Sequence, residues 1–302
     1  MARIKTTTIS AVMHFCKCSD GSTLASGKIA RFLSSELTCG LIDTAESARE
    51  LIRDANCLDV LYVVNSPFGF CDWREEAVEI ACNTKRCVWV QNDYAIKPPS
   101  QFKKAAIVFD DVFTTIPSAG TYIDWNRLTY SPLEKTKNDI YGVFYHGAFR
   151  ENRTQDFMKY LVSDSYNVTI SSTINGVKKF AEFEKNELTV NAARYLGPVT
   201  LEQMSRFQVG LYIEDKNSHS EFHSLANRFY EYLSAGLAIA IDINCSGTFR
   251  KSGLKGWEQF VVSNENDLKV FVDNAEQHAA KQKKLWSKDY VQELRNDLKG
   301  AL

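Results

Sequence analysis

Apolar residues in this chain gather in short runs closed by polar residues or glycine, and between the runs lie stretches whose apolar positions recur at helical spacing. The clearest example is Asn227 to Asp242, NRFYEYLSAGLAIAID. Phe229, Tyr230, Leu233 and Leu237 share one helical face, which sends Arg228 and Glu231 toward its edge. Gly236 ends the helix, because glycine accepts the left-handed conformation that terminates helices. The next five residues, Leu237 to Ile241 (LAIAI), are apolar without alternation, as expected of a parallel strand buried on both faces. A helix feeding such a strand is half of a doubly wound unit.

The same alternation runs through the first half. It predicts an opening strand near Thr7 to Phe15, a helix from about Ala25, the strand Val60 to Asn65 (VLYVVN), a helix over Glu75 to Cys82, the strand Cys87 to Gln91 (CVWVQ) and a further strand at Ala106 to Phe109 (AIVF). Periodicity fails between Ile116 and Asn138, where Pro117, Gly120 and Pro132 fall among charges, and this stretch is read as the linker. Beyond it the pattern predicts strands at Tyr141 to Tyr145, Asn167 to Ser171 and Val209 to Ile213, and a helix near Thr154 to Val162. From Glu276 to Leu302 the chain is charged and helix-prone, with Leu285, Trp286, Tyr290, Leu294 and Leu298 roughly on one stripe.

Length agrees with two such units. At 302 residues the chain exceeds the size at which one core stops growing, so the expectation is α/β with two Rossmann-like, doubly wound domains at 1–130 and 139–275, followed by a terminal helical segment at 276–302. Lys plus Arg number 36 against 37 for Asp plus Glu, a net charge of −1, so no global basic field points to nucleic acid, although a local basic groove remains open. No apolar run reaches the length of a membrane span and the first residues lack the apolar core of a signal peptide, which gives a cytoplasmic expectation. The eight cysteines form no paired ligand spacing and read as reduced, mostly buried thiols.

Four places carry candidate chemistry. Asn92 and Asp93 follow the strand CVWVQ at its carboxyl end, where open α/β sheets bind ligands; Asp93 there is either a general base or the cap of the turn before Pro98 and Pro99. Gly21 and Ser22 lie in the turn SDGSTLASGK, either a phosphate-approaching loop or a plain connection between strand and helix. His146, Gly147, Arg150 and Arg153 crowd into YHGAFRENR after a strand, as a diphosphate grip or as a solvated helix start. In SHSEFHS, His219, Glu221 and His223 invite a metal, but the spacing offers them no common helical face, so no bound metal is expected.

NRFYEYLSAGLAIAID resembles the C-terminal donor-site motif of GT-B glycosyltransferases, in which a helical Glu before a glycine turn binds the nucleotide ribose. The resemblance implies Glu231 for the ribose hydroxyls, with Arg228 placed to meet the diphosphate bidentately, and His223 where retaining members often carry a second Glu. It also implies two domains facing across a cleft and a C-terminal helix returning to the first. In the first domain VWVQND resembles the strand ending in Gln-His-Asp of bacteriophage DNA α-glucosyltransferases, with Asn92 in place of the His, which leaves Asp93 as the proton acceptor. GPVTLEQMS followed by VGLYI resembles the segment that walls the base pocket.

These resemblances imply a glycosyltransferase with no bound cofactor and a nucleotide-diphosphate sugar, UDP-glucose, as co-substrate. Its acceptor is a hydroxymethylated base in duplex DNA, held by Trp73, Arg74, Lys97, Phe102, Lys103 and Lys104, or else a saccharide or lipid-linked acceptor of cell-surface synthesis. A nucleotide-binding module without catalysis is the reading from another class.

Overall fold

The computed structural model describes residues 9–15, 25–54, 57–65, 73–91, 108–150, 159–160, 165–187, 193–214, 223–286 and 288–301. The chain divides into two compact units, Met1–Thr129 and Tyr130–Leu302.

The first unit is a six-stranded parallel sheet in the order β2-β1-β3-β4-β5-β6. Its strands are β1 (Ser10–Phe15), β2 (Gly40–Ile42), β3 (Val60–Asn65), β4 (Arg86–Gln91), β5 (Asp111–Thr114) and β6 (Thr121–Tyr122), and its helices are α1 (Ala25–Leu37), α2 (Ala45–Arg53) and α3 (Arg74–Cys82). Residues such as Val63, Val64, Val88 and Val90 are buried because helices cover a parallel sheet on both faces. The sequence pattern does not reveal β2 and α2. β2 has only three residues, too few to show a period, while α2 opens with a capping box between Thr44 and Ser47 that uses serine rather than the usual Glu or Gln.

Two expectations change here. Of the strand read at Ala106 to Phe109, Val108 and Phe109 are described and neither is in a strand, while β5 begins at Asp111. Asp110 sets that start, since its backbone N–H bonds the Cys87 carbonyl at 2.8 Å and its carboxylate accepts from the Cys87 N–H at 2.7 Å. The stretch read as linker carries β6 and a 3-10 turn, Trp125–Thr129, whose Trp125 is fully buried and donates to the Phe113 carbonyl at 3.1 Å. The cysteines also differ from expectation. Among those described, Cys87 and Cys245 are buried, but Cys57 and Cys82 are exposed, and all are free.

The second unit is again a six-stranded parallel sheet, in the order β12-β11-β10-β7-β8-β9. Its strands are β7 (Ile140–His146), β8 (Val168–Ser171), β9 (Ala193–Leu196), β10 (Phe207–Tyr212), β11 (Ala238–Asp242) and β12 (Val261–Val262). The helices with described bounds are α4 (Ile174–Glu187), α5 (Leu201–Met204), α6 (Asn227–Ala235), α7 (Ser246–Ser252), α8 (Glu265–Asp273), α9 (Ala275–Leu285) and α10 (Lys288–Ala301). Strands are added from β7 outward to β9 on one side, and the chain then returns to lay β10 against the other side of β7. The order therefore reverses between β7 and β10, the switch-point arrangement of a Rossmann sheet.

The motif at Asn227 to Asp242 folds as its pattern requires: α6, then Gly236 at φ 77°, then β11 with every residue buried. Of the helix expected over Thr154 to Val162, Lys159 and Tyr160 are described, and both are helical.

Two close fits hold this sheet to its helices. A Cβ on Gly210 would come within 2.6 Å of the Tyr232 ring, so the missing side chain lets α6 pack that ring flat on β10. On the other side β12 pairs only with Ile241 and Asp242. At Ile239 a side chain of α9 does the pairing, the buried Gln282 amide accepting from the Ile239 N–H at 2.8 Å and donating to its carbonyl at 2.9 Å. Replacing Gln282 by Ala orphans two buried backbone groups at about 1–3 kcal/mol each, so Gln282→Ala should lower unfolding stability by roughly 2–6 kcal/mol. Urea titration checks this, and an unchanged midpoint would remove Gln282 from the framework.

Candidate functional site

The switch point of the second sheet gathers a polar cluster. β7 ends at His146, followed by Gly147; β10 is followed by Ile213 and Glu214; and α6 begins with Asn227 and Arg228. Crevices outside the carboxyl ends of strands at such a reversal are where α/β sheets bind ligands. Among the sequence-expected residues, the structure brings His146, Gly147, Arg228 and Glu231 together here.

Arg228 is nearly buried, its side chain 11% exposed. Its Nε lies 3.2 Å from Glu214 Oε1, its Nη1 donates to the Ile213 carbonyl at 3.1 Å, and its guanidinium stands 4.9 Å from the centre of the Tyr145 ring. Burial opposes the charge, but the Glu214 carboxylate together with the neighbouring Tyr145 and Tyr232 phenols more than offsets it and holds the guanidinium protonated. This corrects the expectation of a bidentate grip on a diphosphate. Nε faces Glu214, Nη1 bonds the Ile213 carbonyl and a further hydrogen bond joins the guanidinium to Tyr145, so both bidentate edges, Nε with Nη2 and Nη1 with Nη2, already meet protein groups, and Nη2 lies toward Gly147. A Cβ at Gly147 would meet Nη2 and the Tyr145 hydroxyl, each at 2.8 Å.

Glu231 lies one helical turn beyond Arg228 and is 9% exposed. Asn227 donates to its Oε1 at 2.8 Å, and His146 Nε2 stands 3.8 Å from its Oε2. A carboxylate oxygen accepts more than one hydrogen bond, so a side chain held in this way can meet a pair of vicinal hydroxyls. Beside it the buried Asn227 Oδ1 has no hydrogen-bond partner, a further acceptor at the same edge. The strand end itself is fixed by Tyr232, whose hydroxyl accepts from the His146 N–H at 2.8 Å. Burial pushes that phenol far up, so it stays neutral.

The other candidates sit apart or outside. Arg150 is half-buried in the turn after Gly147, and His223 is half-buried ahead of α6, its imidazole lowered by burial and then by Lys251. Gly21, Ser22, Asn92, Asp93, Lys97, Phe102, Lys103, Lys104, Arg153, His219 and Glu221 lie outside the described residues, as does the Arg74 side chain. Trp73 requires a correction. It was expected as an aromatic surface for nucleic acid, but it is 4% exposed and part of the first unit's core, at the N-cap of α3, where its ring is unavailable to a base.

In the first unit, sheet order reverses between β1 and β3. There His14, buried on β1, pairs with Ser26 of α1 at 3.1 Å, and burial lowers its imidazole. Sequence reasoning missed Asn227, Tyr145, Glu214, Tyr232 and His14. Asn227 alone carried a local signal, being four residues before Glu231 on a helix; the others are ordinary strand-end or helix residues until the sheet is assembled.

No family model matches the chain, and no curated protein matches it by sequence. Solved structures do. A DNA-modifying β-glucosyltransferase, determined in the presence and absence of its substrate uridine diphosphoglucose, superposes with a TM-score of 0.60 at 15% identity, over 97% of this chain and 95% of that one. A glycosyltransferase involved in avilamycin A biosynthesis superposes with a TM-score of 0.51 at 10% identity, over 97% and 98%. The fold is GT-B. The DNA-modifying relative in structure is a β-glucosyltransferase, whereas the strand end VWVQND resembles the α-enzymes. Among the described residues no helix is long and apolar enough to cross a membrane.

Gly147 makes this cluster testable without any ligand. Gly147→Ala should displace the Arg228 guanidinium and lower stability by about 1–3 kcal/mol, read by urea denaturation. A wild-type midpoint would mean that Arg228 does not lie across the end of β7.

Proposed function

We propose that this protein is a glycosyltransferase that binds a nucleotide-diphosphate sugar at the switch point of its second sheet. The single observation behind the reading is the carboxylate of Glu231. It is nearly buried at the strand ends and braced by Asn227 and His146, and a carboxylate is the group that accepts from two ribose hydroxyls at once. The diphosphate then runs past Gly147, with His146, the Nη2 side of Arg228, Arg150 and Arg153 supplying donors. His223 and the segment from Gly197 to Ile213 border the same pocket.

For the donor we infer a UDP-hexose, UDP-glucose first, because the structurally similar β-glucosyltransferase has uridine diphosphoglucose as its substrate. For the acceptor we infer the hydroxyl of a hydroxymethylated base in duplex DNA. That reading rests on the resemblance of VWVQND and on the same relative being a DNA-modifying enzyme. Asp93 is the proposed general base, with Asn92 beside it, Gly21 and Ser22 are proposed at the donor phosphates, and Arg74, Lys97, Lys103 and Lys104 are the proposed backbone contacts. Such a reaction belongs in the cytoplasm, that of the host if the gene is carried by a phage.

Glu231→Ala should weaken UDP-glucose binding by about 3 to 6 kcal/mol, the scale of two hydrogen bonds to a charged acceptor, in calorimetry. An unaltered affinity would take Glu231 out of the site. Asp93→Asn should leave that affinity near wild type while lowering turnover by roughly two to four orders of magnitude; full turnover would give Asp93 a turn-capping role. Transfer assays with hydroxymethylated duplex DNA across a salt series decide the acceptor. Affinity for DNA should fall steeply with salt, and transfer to a saccharide alone would contradict the DNA reading.

A further inference from the structure

Asn227 is the first residue of α6, and its backbone is fixed from both sides. The N–H of Ala226 before it donates to the hydroxyl of the fully buried Tyr212 at 2.9 Å, and Arg228 after it pairs with Glu214 at 3.2 Å. The direction of its carboxamide follows from chemistry. Nδ2 donates to Glu231 Oε1 at 2.8 Å, whereas the reverse orientation would set an amide oxygen against a carboxylate oxygen. Oδ1 is therefore turned away from Glu231, and there it is buried without a hydrogen-bond partner among the protein groups.

A Glu side chain turns about three bonds, and ordering it is among the larger side-chain entropy costs. Here Oε1 is held by Asn227 and Oε2 faces His146 Nε2 at 3.8 Å, on a ring whose Nδ1 lies 3.4 Å from Ser171 Oγ. A carboxylate held in this way is ordered during folding, so a ligand that meets it does not bear that cost. The Oδ1 of Asn227 points to a ligand in a second way. Burial of an amide oxygen with no donor is unfavourable for the folded chain alone, and a hydroxyl brought in by a bound molecule is the kind of group that relieves it.

We propose that Asn227 is a positioning residue of the donor site: it locks the Glu231 carboxylate toward the ribose, keeps its own Oδ1 as a further acceptor at the same sugar edge, and thereby sets how strongly a ribonucleotide is preferred to a deoxyribonucleotide. This rests on the donor site proposed above. The hydrogen bond from Asn227 to Glu231 stands without it.

Calorimetry of the full-length protein with UDP and with 2′-deoxy-UDP reads the preference. The wild type should bind UDP about tenfold or more tightly than the deoxy form, the scale of one hydrogen bond to a charged acceptor. In Asn227→Ala the affinity for UDP should fall by about tenfold and that for 2′-deoxy-UDP by much less, so the two converge. Asn227→Asp keeps the shape and suits a helix start, but sets a second carboxylate against Glu231. It should bind UDP more weakly than the Ala variant while its urea midpoint stays near that of the wild type. Were Asn227 only part of the framework, both nucleotides would lose affinity alike and the preference would survive. That result overturns the proposal, as do equal wild-type affinities for the two nucleotides or wild-type affinity for UDP in Asn227→Asp. No binding of UDP by the wild type refutes the donor site instead. In the ligand-free protein the side-chain amide protons of Asn227, assigned by their loss in Asn227→Ala, should then still shift in Glu231→Gln; unmoved signals refute the lock itself.

Discussion

An arginine side chain occupies the space that a residue other than glycine at position 147 would need. The guanidinium of Arg228 lies across the end of β7, stacked on Tyr145, tied to the Ile213 carbonyl and paired with Glu214. A charge this buried persists only with its partner in place, since removing one member of such a pair strands the other. The pair therefore fixes the first turn of α6 against the ends of β7 and β10, and with it the position of Glu231 one turn further along. The proposed donor site of the second unit depends on that anchoring.

This division of labour assigns roles differently from a reading of side-chain types. Arg228 looks like a phosphate ligand, yet most of its donors serve the framework. His146 looks like one member of a charged turn, yet its ring is gripped on two sides and its backbone by a third group. A site built in this way is organised before any ligand arrives, because the groups that orient the reacting or binding atoms are locked by their own hydrogen bonds. The glycines at 147 and 210 matter for the same reason: each removes a side chain so that a larger one can bridge from helix to sheet.

Much of the fold could be read from the chain because a buried parallel strand and an amphipathic helix write different periods. The run Asn227 to Asp242 shows both with a glycine between them, and it folds as that pattern requires. β2 and β6 were not legible, since strands of three and two residues hold no period, and β5 was displaced because DVFT is less apolar than the AIVF just before it. At the site, Glu231, His146 and Gly147 could be named from local motifs. Glu214, Tyr145, Ser171 and Tyr232 could not, because their meaning comes from which strand ends lie side by side after the order reverses, and that is a property of the sheet. Trp73 failed for a related reason: an aromatic residue next to an arginine suits a nucleic-acid surface or a helix start over a core, and burial alone separates the two.

The central claim is that a nucleotide sits where β7 and β10 diverge, with its sugar ring on Glu231. A crystal structure of the protein soaked with UDP tests this most directly. The account predicts both ribose hydroxyls within hydrogen-bond distance of the Glu231 carboxylate and the phosphates over Gly147 beside the His146 ring. Nucleotide density elsewhere on the molecule, or a ribose bound with Glu231 turned away from it, would contradict the account.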